Sequence, residues 1–186
     1  MAHACAAVSV LVAYGWDVTG QSSYTVPVEP AFLDTESQQA VWFLGALVRI
    51  RAGVERTAGN FALLEHQGAP RGYGSPLHRH HAEEETFFVL DGELRVVVDG
   101  VTRGAGPGAV ALLPRGLPHA YVVTSPQARF LTMTTPGGFD RFVLEAGTPA
   151  TSFEAPPADD VPPTLDELTR LANAYNIEIL GPPPAP

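Results

Sequence analysis

The stretch Gly72-Tyr-Gly-Ser-Pro-Leu-His78-Arg-His80-His-Ala-Glu-Glu-Glu85-Thr-Phe-Phe-Val-Leu-Asp-Gly92 decides how this chain is read. His78 and His80 lie two residues apart, so on a β-strand both imidazoles leave the same face. With Glu85 they make a compact N,N,O ligand set of the kind that suits a divalent metal. Glu85, however, is an odd number of residues from both histidines, and in one regular strand it would point away. The intervening His81–Glu84 segment is therefore expected to break the strand as a loop or bulge. Glu85 then opens the next strand with Phe87 and Val89 on its face, and Thr86, Phe88 and Leu90 on the other. Glu83 and Glu84 read as members of a solvated charged loop. His81 reads as a surface residue or a neighbour of the site.

A second stretch, Gly108-Ala-Val-Ala-Leu-Leu-Pro114-Arg-Gly116-Leu-Pro118-His119, offers a further imidazole. Taken alone, a His after Leu-Pro is an ordinary structural residue. Taken with the first stretch, His119 completes a four-ligand set. His66 and His3 stand apart from any such cluster and read as non-ligands.

Outward from these two stretches, short apolar runs alternate with turn residues. Strands are expected at Ala46–Arg51, Asn60–Gln67, Ser75–His80, Glu85–Leu90, Glu93–Val98, Val101–Gly104, Ala109–Pro114, His119–Val123 and Ala128–Thr134, rich in Val, Phe and Leu. Asp91-Gly92 and Asp99-Gly100 are expected to close tight hairpins. Many short antiparallel strands argue for an all-β sandwich or barrel. After Pro136 the pattern changes. Phe139, Phe142, Val143 and Leu144 have helical spacing. Pro149–Pro163 is Pro-rich and acidic, a linker or wrapping arm. Thr164 with Glu167 forms a capping box for a last helix, whose apolar stripe is Leu165, Leu168, Leu171, Ala172 and Tyr175. Gly181–Pro186 reads as a frayed tail.

Composition narrows the function classes. The chain has 186 residues, enough for one domain with a real core. Its 18 Gly and 18 Pro favour turns over long helices. The net charge is −9 and all 11 basic residues are scattered arginines, which argues against a nucleic-acid footprint. The single cysteine, Cys5, rules out an internal disulfide and a Cys-based zinc site, and fits a reducing, cytoplasmic setting. The apolar run Ala4–Gly15 is too short to span a bilayer and has no Lys or Arg before it, so residues 1–23 are read as an extension or an added strand rather than an export signal. No membrane association is expected.

The two stretches together resemble the paired motifs of the cupins. Gly72, His78, His80, Glu85 and Gly92 occupy every fixed position of the first motif, and Gly108, Pro114, Gly116 and His119 those of the second. The Asn that closes the second motif is Val123 here; it is not a ligand in the family. Further likeness runs through Val41-Trp42-Phe43-Leu44-Gly45 and Thr135–Phe142 to single-domain bacterial quercetinase-like cupins, covering about residues 24–150. The resemblance implies a cupin jelly-roll β-barrel over 24–150, including a post-barrel helix, with 151–186 as an arm and C-terminal helix packed on it. It implies His78, His80, Glu85 and His119 as ligands of one divalent transition metal, whether iron, nickel, cobalt, manganese or zinc, with Glu85 also the general base. The activity implied is dioxygenation of an enolic or flavonol-like small molecule with O2. Two other activities stay open: metal-dependent cyclisation or isomerisation through enolisation, and binding without turnover. Phe61, Leu63, Tyr121, Phe130 and Met133 are candidates to line the substrate pocket, and a homodimer formed by sheet extension is expected.

Overall fold

A computed structural model describes residues 30–186, and before them only the backbone pairing of β1 (Gly15–Trp16) with β2 (Ser22–Ser23). That pairing apart, the expected extension 1–23, with His3, Cys5 and the apolar run from Ala4, lies outside the described residues. The strands that follow are β3 (Ala40–Phe43), β4 (Ala46–Ala52), β5 (Ala62–Pro70), β6 (Leu77–His80), β7 (Glu84–Asp91), β8 (Leu94–Val98), β9 (Val101–Ala105), β10 (Val110–Leu113), β11 (His119–Val123) and β12 (Gln127–Thr135). Then come α1 (Phe139–Ala146), β13 (Thr148–Pro149), α2 (Leu165–Ala174) and β14 (Ile177–Gly181).

Two antiparallel sheets face each other. One runs β10-β7-β12-β5-β4-β3-β13, the other β14-β6-β11-β8-β9. From β5 onward the chain keeps crossing between them, with β6, β8, β9 and β11 in the smaller sheet and β7, β10 and β12 in the larger. This is a jelly roll. Strand alternation supplies the core: along β12, Ala128, Phe130, Thr132 and Thr134 are buried, while Gln127, Arg129 and Met133 are exposed. Between the sheets, Phe87, Val89, Leu94, Val96, Tyr121 and Phe130 form one apolar cluster. A second joins Phe43, Val48, Ile50 and Leu64 to Phe142 and Val143 of α1 and Leu168 and Leu171 of α2.

The strand break expected at His81–Glu84 is a crossing between sheets that ends at Glu83. Beyond it, Glu85, Phe87 and Val89 are buried on one face of β7, and Phe88 is exposed on the other. Asp99-Gly100 closes a two-residue hairpin between Val98 and Val101, with φ of 46° and 75°. Asp91-Gly92 does not, because β7 and β8 belong to different sheets. The glycine there permits a close approach: a Cβ on Gly92 would lie 2.2 Å from the Gln127 carbonyl oxygen.

At the C-terminal end, Thr164 caps α2, and both halves of the capping box with Glu167 are present. Leu168, Leu171 and Ala172 of the expected stripe are buried, but Leu165 in the first turn is exposed. The arm before α2 wraps the larger sheet: Trp42 Nε1 donates to the Glu154 carbonyl (3.0 Å), and the Arg49 guanidinium lies over the Phe153 ring. Of the tail expected to fray, Gly181–Pro186, only Gly181 lies in a strand, as the last residue of β14. β14 extends the smaller sheet beside β6, pairing Ile177 with His80 and Ile179 with His78. Beyond it, Arg95 donates to the Ala185 carbonyl at 2.8 Å. Among the described residues no helix is long and apolar enough to cross a membrane.

Candidate metal centre

Three strands bring the four residues together. β6 presents His78 and His80 from one face. β11 lies beside β6 with His119 opposite His78. β7 brings Glu85 from the opposite sheet. All four are buried, and one ligand atom from each falls within 4.8 Å of all the others, a grouping that could hold a metal ion.

The hydrogen bonds fix how each imidazole faces the centre. His78 Nδ1–H donates to the Pro76 carbonyl (2.8 Å), His119 Nδ1–H to the Leu117 carbonyl (2.9 Å) and His80 Nδ1–H to the Glu83 carboxylate (2.9 Å). In its neutral form each ring therefore turns an Nε2 lone pair inward. The result is costly unless something shares those lone pairs. His78 Nε2 and His80 Nε2 are 3.2 Å apart, and His119 Nε2 lies 3.1 Å from Glu85 Oε2. Both of the latter atoms are buried without an aligned hydrogen-bond partner. Three imidazole nitrogens and a carboxylate oxygen that converge, two of them unsatisfied, fit a divalent transition metal.

Burial, with the neighbouring charge of His119, pushes His78 down to about 3, which keeps it neutral. Burial opposes ionisation of Glu85, but His119 beside it, and the charge that His80, His119 and His78 carry whenever protonated, outweigh burial and bring the carboxyl down to about 2. Burial also disfavours charge on His80, yet the Glu83 hydrogen bond and the charges of Glu85 and Glu83 leave its pKa raised.

The acidic loop separates into distinct roles. Glu83 is not solvated: it is 5% exposed and holds His80. Glu84 is partly exposed and pairs with Arg115, accepting from its backbone N–H at 2.7 Å. His81 is exposed and bonded to Glu178. His66 stands outside the four-residue group. It is buried, stacked on Phe130 at 4.3 Å and bonded to Tyr73 Oη (2.9 Å) and Thr132 Oγ1 (3.1 Å).

An apolar cavity of about 50 Å³ adjoins the centre on the side of His78 and Glu85. Phe43 and Leu44 wall it, and Phe139, Phe142, Leu168, Ala172, Ile177 and Ile179 from the C-terminal elements roof it. Its polar edge is His66, Ser75, Tyr121 and Thr132. Of the five residues expected to line a pocket, Tyr121 does so. Phe130 lies in the intersheet core, fully buried. Leu63 and Met133 pair with each other on the outward face of the larger sheet, and Phe61 precedes β5, away from the cavity wall. The residues that sequence reasoning missed are the roof, which comes from segments distant in sequence.

The fold and the site define a class: a jelly-roll protein with a three-histidine, one-carboxylate cluster between its sheets. Residues 66–134 match the Cupin domain family model. The chain is 30% identical to a quercetin 2,3-dioxygenase from Bacillus subtilis over 103 residues, which are 55% of this chain and 30% of that protein's length. Solved structures with the same fold include KdgF from Halomonas sp. (TM-score 0.51, 20% identity, 59% of this chain and 97% of that one). An RmlC-like cupin from Shewanella frigidimarina superposes with a TM-score of 0.52 at 18% identity, covering 61% of this chain and 96% of the other. Over residues 66–134 the chain is similar to the Cupin domain family, and its jelly roll is the fold of these solved structures.

Proposed function

We propose that this chain is a metal-dependent cupin enzyme in which His78, His80, Glu85 and His119 hold one divalent transition metal, and that it dioxygenates an enolic or flavonol-like aromatic molecule. The observation that carries the reading is the convergence of four buried ligand groups, with Glu85 Oε2 and His119 Nε2 unsatisfied, on the edge of an apolar cavity. The likeness to a quercetin 2,3-dioxygenase supports the choice of reaction.

When bound, the metal supplies Lewis-acid charge that acidifies a substrate hydroxyl and steadies the oxyanion. Glu85, held ionised, accepts that hydroxyl proton. The aromatic and aliphatic roof excludes water and packs against the substrate ring. Both atoms of O2 enter the substrate, which is oxidised as a ring carbon–carbon bond breaks. The test is metal analysis of the purified protein, reloading with single ions, and oxygen uptake with quercetin. Bound metal and oxygen consumption that disappears in Glu85→Gln are expected. A protein that binds no metal overturns the proposal, and a fully active Glu85→Gln overturns the base role.

The cavity volume favours a second reading. About 50 Å³ is far below the roughly 300 Å³ at the lower end of pockets for drug-sized ligands. A flavonol would require the roof to move, whereas a compact ketone would not. The same metal and carboxylate would then enolise a keto substrate without oxygen, as an isomerase or cyclase does. Solvent deuterium entering the substrate under anaerobic conditions selects this reading. Saturable binding with neither reaction selects a non-catalytic binding protein.

The partners we propose are a small molecule in the cytoplasm and a second copy of this chain. Val110 and Leu112 on edge strand β10, with Phe88 on β7, are exposed on the outward face of the larger sheet. A dimer mass by light scattering that falls to monomer in Leu112→Glu is expected.

A further inference from the structure

Glu83 is a buried carboxylate for which the proposed reaction has no use. It sits at the end of the crossing from β6 to β7, and only 5% of it is exposed. Oε2 accepts the His80 Nδ1–H bond at 2.9 Å. Oε1 lies against the start of α1, 2.9 Å from where a Cβ on Gly138 would be. Gly138 is the N-cap of α1, with a φ of 154°, and gives the helix no side-chain cap. The next residue, Phe139, meets the His80 ring edge-on at 5.4 Å. The carboxylate thus lies between one imidazole and the start of a helix, in the space a side chain at 138 would take. His78 and His119 have no such partner; their Nδ1–H groups go to backbone carbonyls.

We infer that Glu83 is a positioning residue for the metal centre, and that Gly138 is glycine so that this carboxylate can reach His80. A carboxylate on Nδ1–H fixes the tautomer, locks the ring and makes Nε2 a stronger donor than a carbonyl partner does. A side chain at 138 would push Oε1 aside and break that hold. Because Phe139 and Phe142 also roof the cavity, α1 is tied mechanically to one ligand, and the seating of the roof and of His80 are set together. The inference rests on the reading that the four-residue cluster binds a metal. It goes beyond that reading in assigning roles to Glu83 and Gly138.

The experiment is Co(II) titration of the full-length apoprotein, followed by its d–d absorption and by competition with a chelator. Glu83→Gln keeps the shape of the side chain and removes its charge. It is expected to weaken Co(II) binding roughly 10- to 100-fold and to alter the absorption bands, with the apoprotein's melting temperature little changed. Glu84→Gln, at the partly exposed neighbouring position, is expected to bind as wild type does. Gly138→Ala is expected to weaken binding in the wild-type background and to weaken it less in the Glu83→Gln background, where the charged hold on His80 is already lost and only the backbone strain at a φ of 154° is common to both. Wild-type affinity in Glu83→Gln overturns the role of Glu83. An equal effect of Gly138→Ala in both backgrounds overturns the link to α1. If the wild-type chain itself takes up no Co(II), the metal reading fails instead, so the two failures are told apart.

Discussion

Acidification from pH 7 to pH 5 should cost this protein about 2 kcal/mol of stability through one side chain, His66. The imidazole is buried between the sheets, stacked on Phe130, with a hydroxyl at each ring nitrogen. Burial lowers its pKa from 6.5 to about 4, the charges of Glu85 and Glu65 offsetting only part of the effect. The folded value lies below the unfolded one, so the unfolded chain binds the extra proton first. Stability is therefore intact above about pH 6.5, drains as the pH falls, and levels off below about 4. At about 1.36 kcal/mol per pH unit, the ceiling is roughly 3 kcal/mol, and the share lost by pH 5 is about 2. Urea unfolding of wild type and His66→Gln at pH 7, 6 and 5 isolates the effect, because every other titrating group is common to both. The wild type should lose about 2 kcal/mol more than the variant over that range, or about 4–8 °C in Tm for a chain of this size. Parallel pH profiles for the two proteins would refute the argument that burial holds His66 neutral.

Gly74→Ala should destabilise the fold by about 3 kcal/mol or more, measured by urea unfolding, and weaken metal uptake with it. A Cβ there would lie 2.2 Å from the Tyr121 carbonyl oxygen and 3.0 Å from Val122 Cα, so the backbone of β11, which carries His119, has to shift. Thr164→Ala removes the capping box of α2 and should cost about 1 kcal/mol in the same assay.

What could be read from sequence depended on how local the signal was. The strands from Ala46 to Thr134, the hairpin at Asp99-Gly100 and the capping box at Thr164 all depend on residues near one another in the chain. β14 does not. Its partner β6 is about a hundred residues upstream, and no turn between them announces the pairing. Asp91-Gly92 failed for a related reason: the dipeptide specifies a bend, but whether the next strand pairs or crosses is decided by the other sheet. Leu63 and Met133 fall on the outward face because polarity is inverted locally around the site. On β5, β7 and β12 the inward face carries His66, Glu85, Thr132 and Thr134, and the outward face carries Leu63, Phe88 and Met133. Apolar character therefore does not mark the inward face at Leu63 and Met133, although Phe87, Val89 and Phe130 of the same strands do point inward.

The three consecutive glutamates show the limit most clearly. Parity alone separated Glu85 from the histidines, required a break before it and put it on a new strand. It could not separate Glu83 from Glu84, because a short acidic loop reads as solvated at every position. The structure separates them by direction. The chain leaves the smaller sheet at His80 and enters the larger one at Glu84, so the residue between them that faces inward meets the ring it has just left. Glu83 then accepts from His80, Glu84 turns out to Arg115 and Glu85 turns in to the cluster. Burying two carboxylates this close together is unfavourable unless each has a cationic or donor partner. Glu83 has the His80 N–H. Glu85 Oε2 has no aligned partner among the described residues, which is the condition a bound metal ion would relieve.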